Sequence, residues 1–166
     1  EAEAHRQNVA LMPGLALTEL TLSHFRSHKQ GRITCDHRPI ALFGNNGAGK
    51  TNILEAVSLM SPGRGLRRAS AGDMSRRPEG LGWKITGLLQ SLQKNYEIEI
   101  WSEAGAARQV RIDGKAVSQT ALGRIARVLW LVPSMDRLWI EGAEGRRRFL
   151  DRMTLSFLPD LSLIHI

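Results

Sequence analysis

The sequence predicts a single domain of the α/β class, with a glycine-rich loop between a buried strand and a helix, and an added antiparallel β layer. Three observations predict it. An apolar run at residues 40–43 enters a glycine-rich segment, and a helical pattern leaves it. Residues 81–117 carry the alternating and β-branched patterns of half-buried strands. The length of 166 residues suits one domain with a core and is too short for two full ones.

The N-terminal part of the chain contains two candidate strands. Residues 1–14 show no periodic pattern and end in Pro-Gly, so we expect a disordered leader there. The segment LALTELTLSHF, residues 15–25, alternates leucines with polar residues over part of its length, which predicts a half-buried strand. The run IALF, residues 40–43, is wholly apolar, as is typical of a strand buried on both faces.

The remaining elements follow from similar patterns. Beyond the glycine-rich segment, apolar residues recur at helical spacing over residues 53–60, and a Pro-Gly pair closes the helix. Residues 61–80 form a basic, glycine-rich loop. WKITGLL, YEIEIW and RQVRI then predict strands, with SEAGAA as a hairpin connection and Asp113-Gly114 as a tight turn. VLWLV, residues 128–132, predicts another buried strand, and GAEGRRRFLDRMTLSFL predicts a helix.

The segment after residue 43 matches the pattern G-x-x-x-x-G-K-[ST] at every fixed position. Its residues are Gly44, Asn45, Asn46, Gly47, Ala48, Gly49, Lys50 and Thr51. Glycines let such a loop fold tightly so that backbone N–H groups point at phosphate oxygens, and the following helix adds the positive end of its dipole. Lys50 would reach the β- and γ-phosphates, and the Thr51 hydroxyl would take one position on Mg²⁺. The motif therefore predicts a site for ATP and Mg²⁺ along these eight residues, called the phosphate loop below.

The charge of the chain is strongly basic. The net charge is +7, from 23 lysines and arginines against 16 acidic residues. Most of the excess is arginine in four clusters: Arg64, Arg67, Arg68; Arg76, Arg77; Arg124, Arg127; and Arg146, Arg147, Arg148. Arginine forks suit phosphate oxygens, and clustered cations attract nucleic acid by releasing its counterions. The clusters indicate either an anionic polymer as partner or a solvated basic surface.

Residues around the phosphate loop narrow the choice among kinases, GTPases, transporter ATPases and DNA-repair ATPases. LTELTLSHFRSH precedes GNNGAGKTNILEAVSLMSPGRGLRRA, and together they resemble the head domains of the RecF/SMC group of ABC-type ATPases. Transporter ATPases usually have G-x-S-G-x-G-K-S-T here, so four residues weigh against them: Asn46, Thr51, Asn52 and Glu55. SPGRGLRRA, RIDGKAVSQ and VLWLVPSMDRLWIEGAEGRRRFLDR are similar to segments of the RecF family. The resemblance covers residues 15–158.

The resemblance implies the fold and the role of the RecF family. The implied fold is a P-loop NTPase, lobe I of an ABC-type head, with the antiparallel β layer added to it. The implied role is a repair ATPase that binds single-stranded and gapped DNA, dimerises on ATP, and works with RecR and RecO in recombinational repair, replication and the SOS response. Arg26 lies where related heads bring a basic side chain towards the nucleotide; a surface cation at a strand end is the alternative.

Several residues are candidate nucleic-acid contacts. The candidate DNA-binding residues are Arg64, Arg67 and Arg68, directly after the phosphate-loop helix, and Arg146, Arg147 and Arg148, in the first turns of a later helix. The first set either contacts DNA phosphates or lies on a solvated loop. Cations at a helix start are unfavourable for its dipole, which favours a partner, although Glu141, Glu144 and Asp151 are near enough to neutralise them. The strand-like settings of Trp83, Trp101, Trp130 and Trp139 favour core packing over base stacking.

Two parts of an ATP-hydrolysing head have no match in the sequence. Hydrolysis needs an apolar strand that ends in an acid pair, and the nearest segment, VLWLVPSMD, has Asp136 at the wrong spacing. No segment resembles L-S-G-G-Q either. Both parts lie in the later half of RecF-like chains, so we expect a fragment that does not hydrolyse ATP by itself, although the full-length protein would be an ATPase. We assign residues 15–160 to the head domain and expect residues 161–166 to be a non-native tail.

Three other functions remain open at this point. An SMC-like chromosome-maintenance head would need long heptad arms after the β segment, and none begins in the sequence. A small P-loop nucleotide kinase would need a lid and an acceptor pocket, and it would not predict the arginine excess. A DNA-binding module with a vestigial phosphate loop is the third.

The sequence also bears on the compartment. Cys35 is the only cysteine, so no internal disulfide can form, which fits the cytoplasm. No run of about 18 apolar residues is present, so no membrane-spanning helix is expected.

Overall fold

The computed structural model describes residues 14–91, 94–133, 135 and 142–157. Six strands, two α-helices and two short 3₁₀ helices, Gly72–Met74 and Gln119–Arg124, lie in these ranges. The strands are β1 (Leu15–Phe25), β2 (His28–Thr34), β3 (Gly82–Ser91), β4 (Asn95–Glu103), β5 (Gln109–Ile112) and β6 (Lys115–Val117); the helices are α1 (Lys50–Ser58) and α2 (Ala143–Phe157). The predicted leader, apart from Gly14, and the predicted tail lie outside the described residues.

The strands form one antiparallel sheet in the order β2-β1-β3-β4-β5-β6. β3 to β6 follow one another as a meander, whereas β1 lies between β2 and β3. The β5–β6 turn consists of Asp113 and Gly114, whose φ angles are 51° and 75°. A two-residue hairpin turn of type I′ has positive φ at both positions, and an Asp-Gly pair tolerates it. The antiparallel layer predicted at residues 81–117 is therefore confirmed as β3 to β6.

One face of the sheet forms the core together with α1 and the second 3₁₀ helix. The buried core residues of the strands are Leu20, Leu22, Phe25, Trp83, Ile85, Leu89, Ile98, Ile100 and Val110. Ala56 of α1, Leu59 and Met60 just after it, and Leu122 of the 3₁₀ helix belong to the same cluster. Strand residues alternate between the two faces, so the opposite face carries the polar ones. Burial of this single apolar face holds the later half of α1 against the sheet.

Several predicted elements are confirmed, and one strand was not predicted. β1, α1 and α2 occur where the patterns placed them, and Trp83 packs in the core, with its ring centroid 5.4 Å from that of Phe25. β2 was missed because its sequence, HKQGRIT, is polar. Among the described strands it pairs with β1 alone, at the edge of the sheet. Neither α1 nor α2 is long and apolar enough to span a membrane, and the same holds for every helix in the described ranges.

Two predicted strands are wrong. Residues 40–43 have no strand geometry, and the side chain of Phe43 is 94% exposed. Residues 128–132 are also irregular, and Leu131 is 75% exposed. A strand buried on both faces needs hydrogen-bonded neighbours at each edge. None of the described strands pairs with either run, so the apolar composition alone does not produce a strand.

The carboxylate of the β5–β6 turn is expected to stabilise the sheet in a pH-dependent way. Asp113 accepts hydrogen bonds from Lys94 Nζ at 2.7 Å and from the backbone N–H of Glu97 at 2.9 Å. The Lys94 hydrogen bond, followed by that of Glu97, holds the pKa of Asp113 below its ordinary value. A carboxyl with a lowered folded-state pKa stabilises the protein above its unfolded-state pKa, and the contribution is lost as pH falls through the folded-state pKa.

We therefore expect Asp113→Asn to lower the urea midpoint at neutral pH, and we expect the difference from wild type to shrink in strong acid. Asparagine also tolerates positive φ, so the turn itself is preserved. Urea unfolding at several pH values below neutrality measures the difference. Glu103→Gln removes an exposed carboxylate of β4 and serves as the control. A difference for Asp113→Asn that stayed constant down to strong acid would contradict the charge-based account.

Candidate functional site

The phosphate loop connects an irregular segment to the first turn of α1. Gly44, Gly47 and Gly49 have φ angles of 141°, 86° and 92°, a region that other L-residues rarely adopt. Gly49 precedes α1, and its carbonyl accepts hydrogen bonds from the N–H groups of Asn52 at 2.9 Å and Ile53 at 3.2 Å. The loop therefore needs its glycines for backbone conformation, as the motif predicts.

The last glycine of the loop packs against the β1–β2 turn, here residues 26–28, which includes the first residue of β2. A Cβ atom at Gly49 would lie 2.6 Å from His28 Nε2 and 3.0 Å from Ser27 Oγ. His28 Nε2 also lies 3.3 Å from the Gly49 carbonyl, where its N–H donates a hydrogen bond. Asn52 of α1 adds a second link, since its Nδ2 donates to Ser27 Oγ at 2.8 Å. The β1–β2 turn thus fixes the loop from one side.

The open side of the loop is suited to an anion. Lys50 Nζ donates to the loop's own carbonyls, Gly44 O at 2.7 Å and Asn45 O at 2.8 Å, so the ammonium lies across the loop. The first turn of α1 contains no acidic residue. The first N–H groups of a helix generally have no intrahelical acceptor, although that of Asn52 donates to the Gly49 carbonyl, and the helix dipole adds positive potential there. The exposed Thr51 side chain lies in this same turn.

A buried carboxylate lies one turn further along α1. Glu55 is fully buried, and it forms ion pairs with two arginines. Arg26 binds it through two nitrogens, Nε to Oε2 at 2.8 Å and Nη2 to Oε1 at 2.7 Å. Arg67 Nη1 donates to Oε2 at 2.9 Å and to Asn52 Oδ1 at 2.8 Å. Paired, multiply hydrogen-bonded charges are the form in which a carboxylate tolerates burial.

This ion-pair network was not predicted. The sequence left Arg26 either near a nucleotide or at the surface; in the structure its guanidinium binds Glu55 and the Asp73 carbonyl, the latter at 2.7 Å. The signal available in the sequence is an acidic residue between apolar neighbours in a short helix of an arginine-rich chain. Through Glu55, the phosphate-loop helix is joined to the β1–β2 turn by Arg26 and to residues 64–68, the arginine loop, by Arg67.

The structure places the predicted DNA-binding arginines in different surroundings. Arg67 is held by Glu55, and 40% of its side chain is exposed. The side chains of Arg64 and Arg68 are exposed, and neither forms a hydrogen bond or ion pair within the described ranges. Arg146 is half-buried and Arg147 is exposed in the second turn of α2, while the side chain of Arg148 is outside the described part. DNA contact by these residues remains a prediction.

The residues at the loop fit a phosphate-bound Mg²⁺ better than a protein metal cage. Among the described residues, no cluster of three or more His, Cys, Asp or Glu side chains could hold a metal. Mg²⁺ commonly binds through one or two protein ligands together with substrate phosphates and water. The Thr51 hydroxyl, next to Lys50, could supply such a ligand.

Comparison with known proteins agrees with this geometry. A family model described as AAA domain matches residues 19–124. The DNA replication and repair protein RecF of Rhizobium etli is 44% identical over 149 residues, which cover 87% of this chain and 40% of that protein. RecF of Caulobacter vibrioides is 42% identical over 156 residues, covering 89% of this chain and 40% of that protein. The resemblance to RecF is confirmed, and the chain spans about 40% of the length of these relatives.

Solved structures extend the comparison to the fold. A structure described as the recombination mediator protein RecF-ATP in the RecFOR pathway has a TM-score of 0.71 at 26% identity, covering 86% of this chain and 40% of that chain. A structure from a study of ATP-driven dimerization and DNA-stimulated activation of SMC ATPases has a TM-score of 0.67 at 16% identity, covering 82% of this chain and 98% of that chain. At the latter identity the similarity concerns the fold alone.

Proposed function

The chain belongs to the AAA domain family and has the P-loop ATPase fold of RecF and SMC heads, and from this premise we propose that it binds ATP at Gly44–Thr51 as part of a RecF-like DNA-repair ATPase. The observation that carries the proposal is the phosphate loop itself. Its glycines adopt positive φ, its lysine lies across it, and the helix behind it begins without an acidic residue. Such a loop favours a polyphosphate over a neutral ligand.

Different groups of the loop bind different parts of the nucleotide. The backbone N–H groups of the loop and of the first helical turn bind phosphate oxygens. The Lys50 ammonium exchanges its two carbonyl acceptors for the β- and γ-phosphates, and Thr51 provides the protein ligand to Mg²⁺. Mg²⁺ bound there would supply positive charge that neutralises the phosphates.

The basic surface is the proposed contact with DNA. Arg64 and Arg68 lie on the arginine loop, exposed and available for phosphate oxygens. Arg67 joins the same loop to α1 through Glu55, so the loop that would contact DNA is tied to the helix that would hold ATP. Arg146, Arg147 and Arg148 are proposed as a second set of phosphate contacts. Such contacts are non-specific and sensitive to salt.

The proposal extends to the longer protein that the RecF relatives represent, of which this chain matches about 40%. We infer that it dimerises on binding ATP, binds single-stranded and gapped DNA, and acts with RecR- and RecO-type proteins in recombinational repair in the cytoplasm. The similarity to RecF over 87% of this chain and to a RecF-ATP structure supports this inference. An ATP-bound head is the state in which two such protomers would associate.

ATP binding is tested by thermal and urea unfolding of this chain with an ATP analogue and Mg²⁺. A ligand at 100 times its Kd raises the free energy of unfolding by about 2.7 kcal/mol. We expect that stabilisation for the wild type and its loss in Lys50→Ala. Lys29→Ala, at an exposed lysine of β2, is the matched control and should keep it. Equal stabilisation of Lys50→Ala and wild type would contradict the assignment of the site.

DNA binding is tested by titrating labelled single- and double-stranded DNA with and without ATP and Mg²⁺ at two salt concentrations. The repair ATPase predicts salt-sensitive binding that ATP strengthens and that Lys50→Ala makes independent of ATP. DNA binding that does not depend on ATP would instead support a DNA-binding module with a vestigial phosphate loop. Phosphate transfer to a nucleoside monophosphate would support a nucleotide kinase.

A further inference from the structure

One arginine cluster that the proposed function does not use lies at the end of the second 3₁₀ helix. Arg124 is the last residue of that helix, and its exposed side chain forms no hydrogen bond or ion pair within the described ranges. Arg127 follows one turn later, and its Nε donates to the Gly123 carbonyl at 3.1 Å. What lies beside this helix end therefore decides what Arg124 can bind.

The fold places Arg124 beside the arginine loop, although the two are far apart in sequence. Gly123 contacts the ring of Pro62 so closely that a Cβ atom at Gly123 would lie 3.0 Å from Pro62 Cγ. Pro62 is two residues before Arg64. With about 3.8 Å between consecutive Cα atoms, this contact keeps the Cα atoms of Arg64 and Arg124 within roughly 20 Å of each other. We call Arg64, Arg68 and Arg124 the composite basic surface.

A second contact joins the same two segments through a half-buried cation. Arg108 Nη2 donates to the carbonyl of Gly63, directly before Arg64, and to the side-chain oxygen of Gln119, the first residue of the 3₁₀ helix. Both acceptors are neutral, and none of the ion pairs among the described residues includes Arg108. Burial lowers the pKa of its guanidinium. Arg108 thus holds the two segments together and adds positive charge beneath them.

Both segments of the composite basic surface lack acidic residues. Residues 56–72 contain three arginines and no Asp or Glu, and residues 114–135 contain two arginines, one lysine and no acid. Several exposed cations elsewhere in the described ranges have acidic partners: Arg32 with Glu19, Arg38 with Asp36, and Lys94 with Asp113. A group of like charges without interspersed acids creates a local positive potential that attracts a polyanion.

The arginine loop has a defined shape. Gly63 and Gly65, on either side of Arg64, have φ angles of 111° and 71°, and Arg68 has a φ of 53°. The N–H of Leu66 donates to the hydroxyl of the buried Ser58 at 2.7 Å. A non-glycine residue at positive φ persists where surrounding contacts impose it, and such residues cluster at binding sites. A loop that is already ordered loses less conformational freedom when it binds a partner.

We propose that the composite basic surface binds successive phosphates of one nucleic-acid backbone, with Arg64 and Arg68 at one end of the contact and Arg124 at the other. The inference rests on the proposed DNA-binding function and adds a contact from a separate part of the chain. A separation of roughly 20 Å equals about six nucleotides of one duplex strand, at about 3.4 Å each. Arginine forks bind phosphate oxygens in pairs, without regard to base sequence.

The salt dependence of DNA binding tests the role of Arg124. A labelled duplex of about 20 base pairs is titrated with this chain, ATP and Mg²⁺ at several salt concentrations; each phosphate contact contributes about 0.9 to the slope of log affinity against log salt. We expect Arg124→Gln to reduce that slope by about 0.9 and to weaken binding roughly five- to tenfold at about 0.1 M salt. Arg64→Gln/Arg124→Gln should reduce the slope about twice as much, whereas Arg124→Lys should keep it.

Arg111→Gln is the matched control, because it removes the same charge from the other face of the sheet. Arg111 alternates with the buried Val110, and its Cζ lies 4.8 Å from the centroid of the Trp101 ring. Trp101 therefore lies on the polar face, so the predicted core packing is wrong for this tryptophan. Arg111→Gln should keep the wild-type slope. Circular dichroism melting confirms that each variant is folded.

Two results would overturn this inference and leave DNA binding by the arginine loop in place. They are an unchanged slope in Arg124→Gln and an equal reduction in Arg111→Gln, which would indicate a general effect of net charge. Equal affinity for an oligoglutamate of the same charge would also overturn it, in favour of an acidic protein as partner. If the wild type bound no DNA, the proposed DNA contacts would fail together with this one, and ATP binding would still be judged by unfolding.

Discussion

Glu55→Gln is expected to lower the free energy of unfolding of this chain by about 3 kcal/mol, at the lower end of the cost of breaking a buried ion pair. Glu55 is fully buried, and three arginine N–H groups bind its carboxylate. Glutamine keeps the size of the side chain but accepts through one oxygen, so Arg26 and Arg67 lose their counter-charge. The loss stays at the lower end because the arginine side chains remain 20% and 40% exposed.

Urea unfolding of Glu55→Gln, of each arginine variant and of one double variant measures how much each arginine contributes to the stability that the Glu55 network provides. Arg26→Ala should cost nearly as much as Glu55→Gln, because it removes both hydrogen bonds of the bidentate pair from a buried carboxylate. Arg67→Ala should cost only about 0–1 kcal/mol, since its partner contact is partly open to solvent. The double variant Arg26→Ala/Glu55→Gln should be much less destabilised than the sum of the single variants. Additive single and double effects would contradict a coupled pair.

The same substitution is informative about ATP and DNA. Glu55 connects three segments that are far apart in sequence: the β1–β2 turn through Arg26, the phosphate-loop helix, and the arginine loop through Arg67. A buried charge that satisfies several donors fixes the relative position of the segments that carry them. If the arginine loop contacts DNA, Glu55→Gln should reduce the effect of ATP on DNA affinity more than the affinity itself.

Local patterns in the sequence predicted the parts of the fold that depend on short-range contacts. Strands β3 and β4 have the alternating apolar residues that one buried face requires, for example Ile85 and Leu89 on β3 and Ile98 and Ile100 on β4. The Asp113-Gly114 turn and the glycines of the phosphate loop were predicted because their backbone angles exclude most other residues.

The sequence failed where a segment's structure depends on a remote neighbour. The apolar runs at residues 40–43 and 128–132 predicted buried strands, but no described strand pairs with them. β2 has the opposite character: its polar residues gave no signal, yet backbone pairing with β1 makes it a strand. Strand formation in these cases is decided by pairing, which a local pattern does not contain.

The candidate site also has features that a local pattern predicts and features that depend on remote residues. The phosphate loop was predicted at every position because its chemistry is carried by eight consecutive residues. The partners of Glu55 lie 29 and 12 residues away in the sequence, so no local spacing could reveal them. The same holds for the contact of His28 with Gly49, which becomes visible only when the β1–β2 turn is placed beside the loop.

Gly49→Ala is expected to lower the free energy of unfolding by about 2–4 kcal/mol and to abolish stabilisation by ATP. Alanine at a φ of 92° is strained, and its Cβ would lie 2.6 Å from His28 Nε2. The imidazole must then move and give up its hydrogen bond to the Gly49 carbonyl. Gly49 also precedes the first turn of α1, so displacement of this residue moves the N–H groups that would bind phosphate.

Gly47→Ala separates the two causes, because Gly47 has a similar φ of 86° but no atom lies within 4 Å of the position that a Cβ would take there. It should cost only the backbone strain, about 1–2 kcal/mol. In the Gly49→Ala background, His28→Ala should restore part of the lost stability, since it removes the clashing ring. Urea unfolding and ATP-dependent stabilisation of the wild type and these three variants distinguish backbone strain from the clash with His28. If Gly49→Ala were no more destabilising than Gly47→Ala, the contact with the β1–β2 turn would not be what requires glycine at this position.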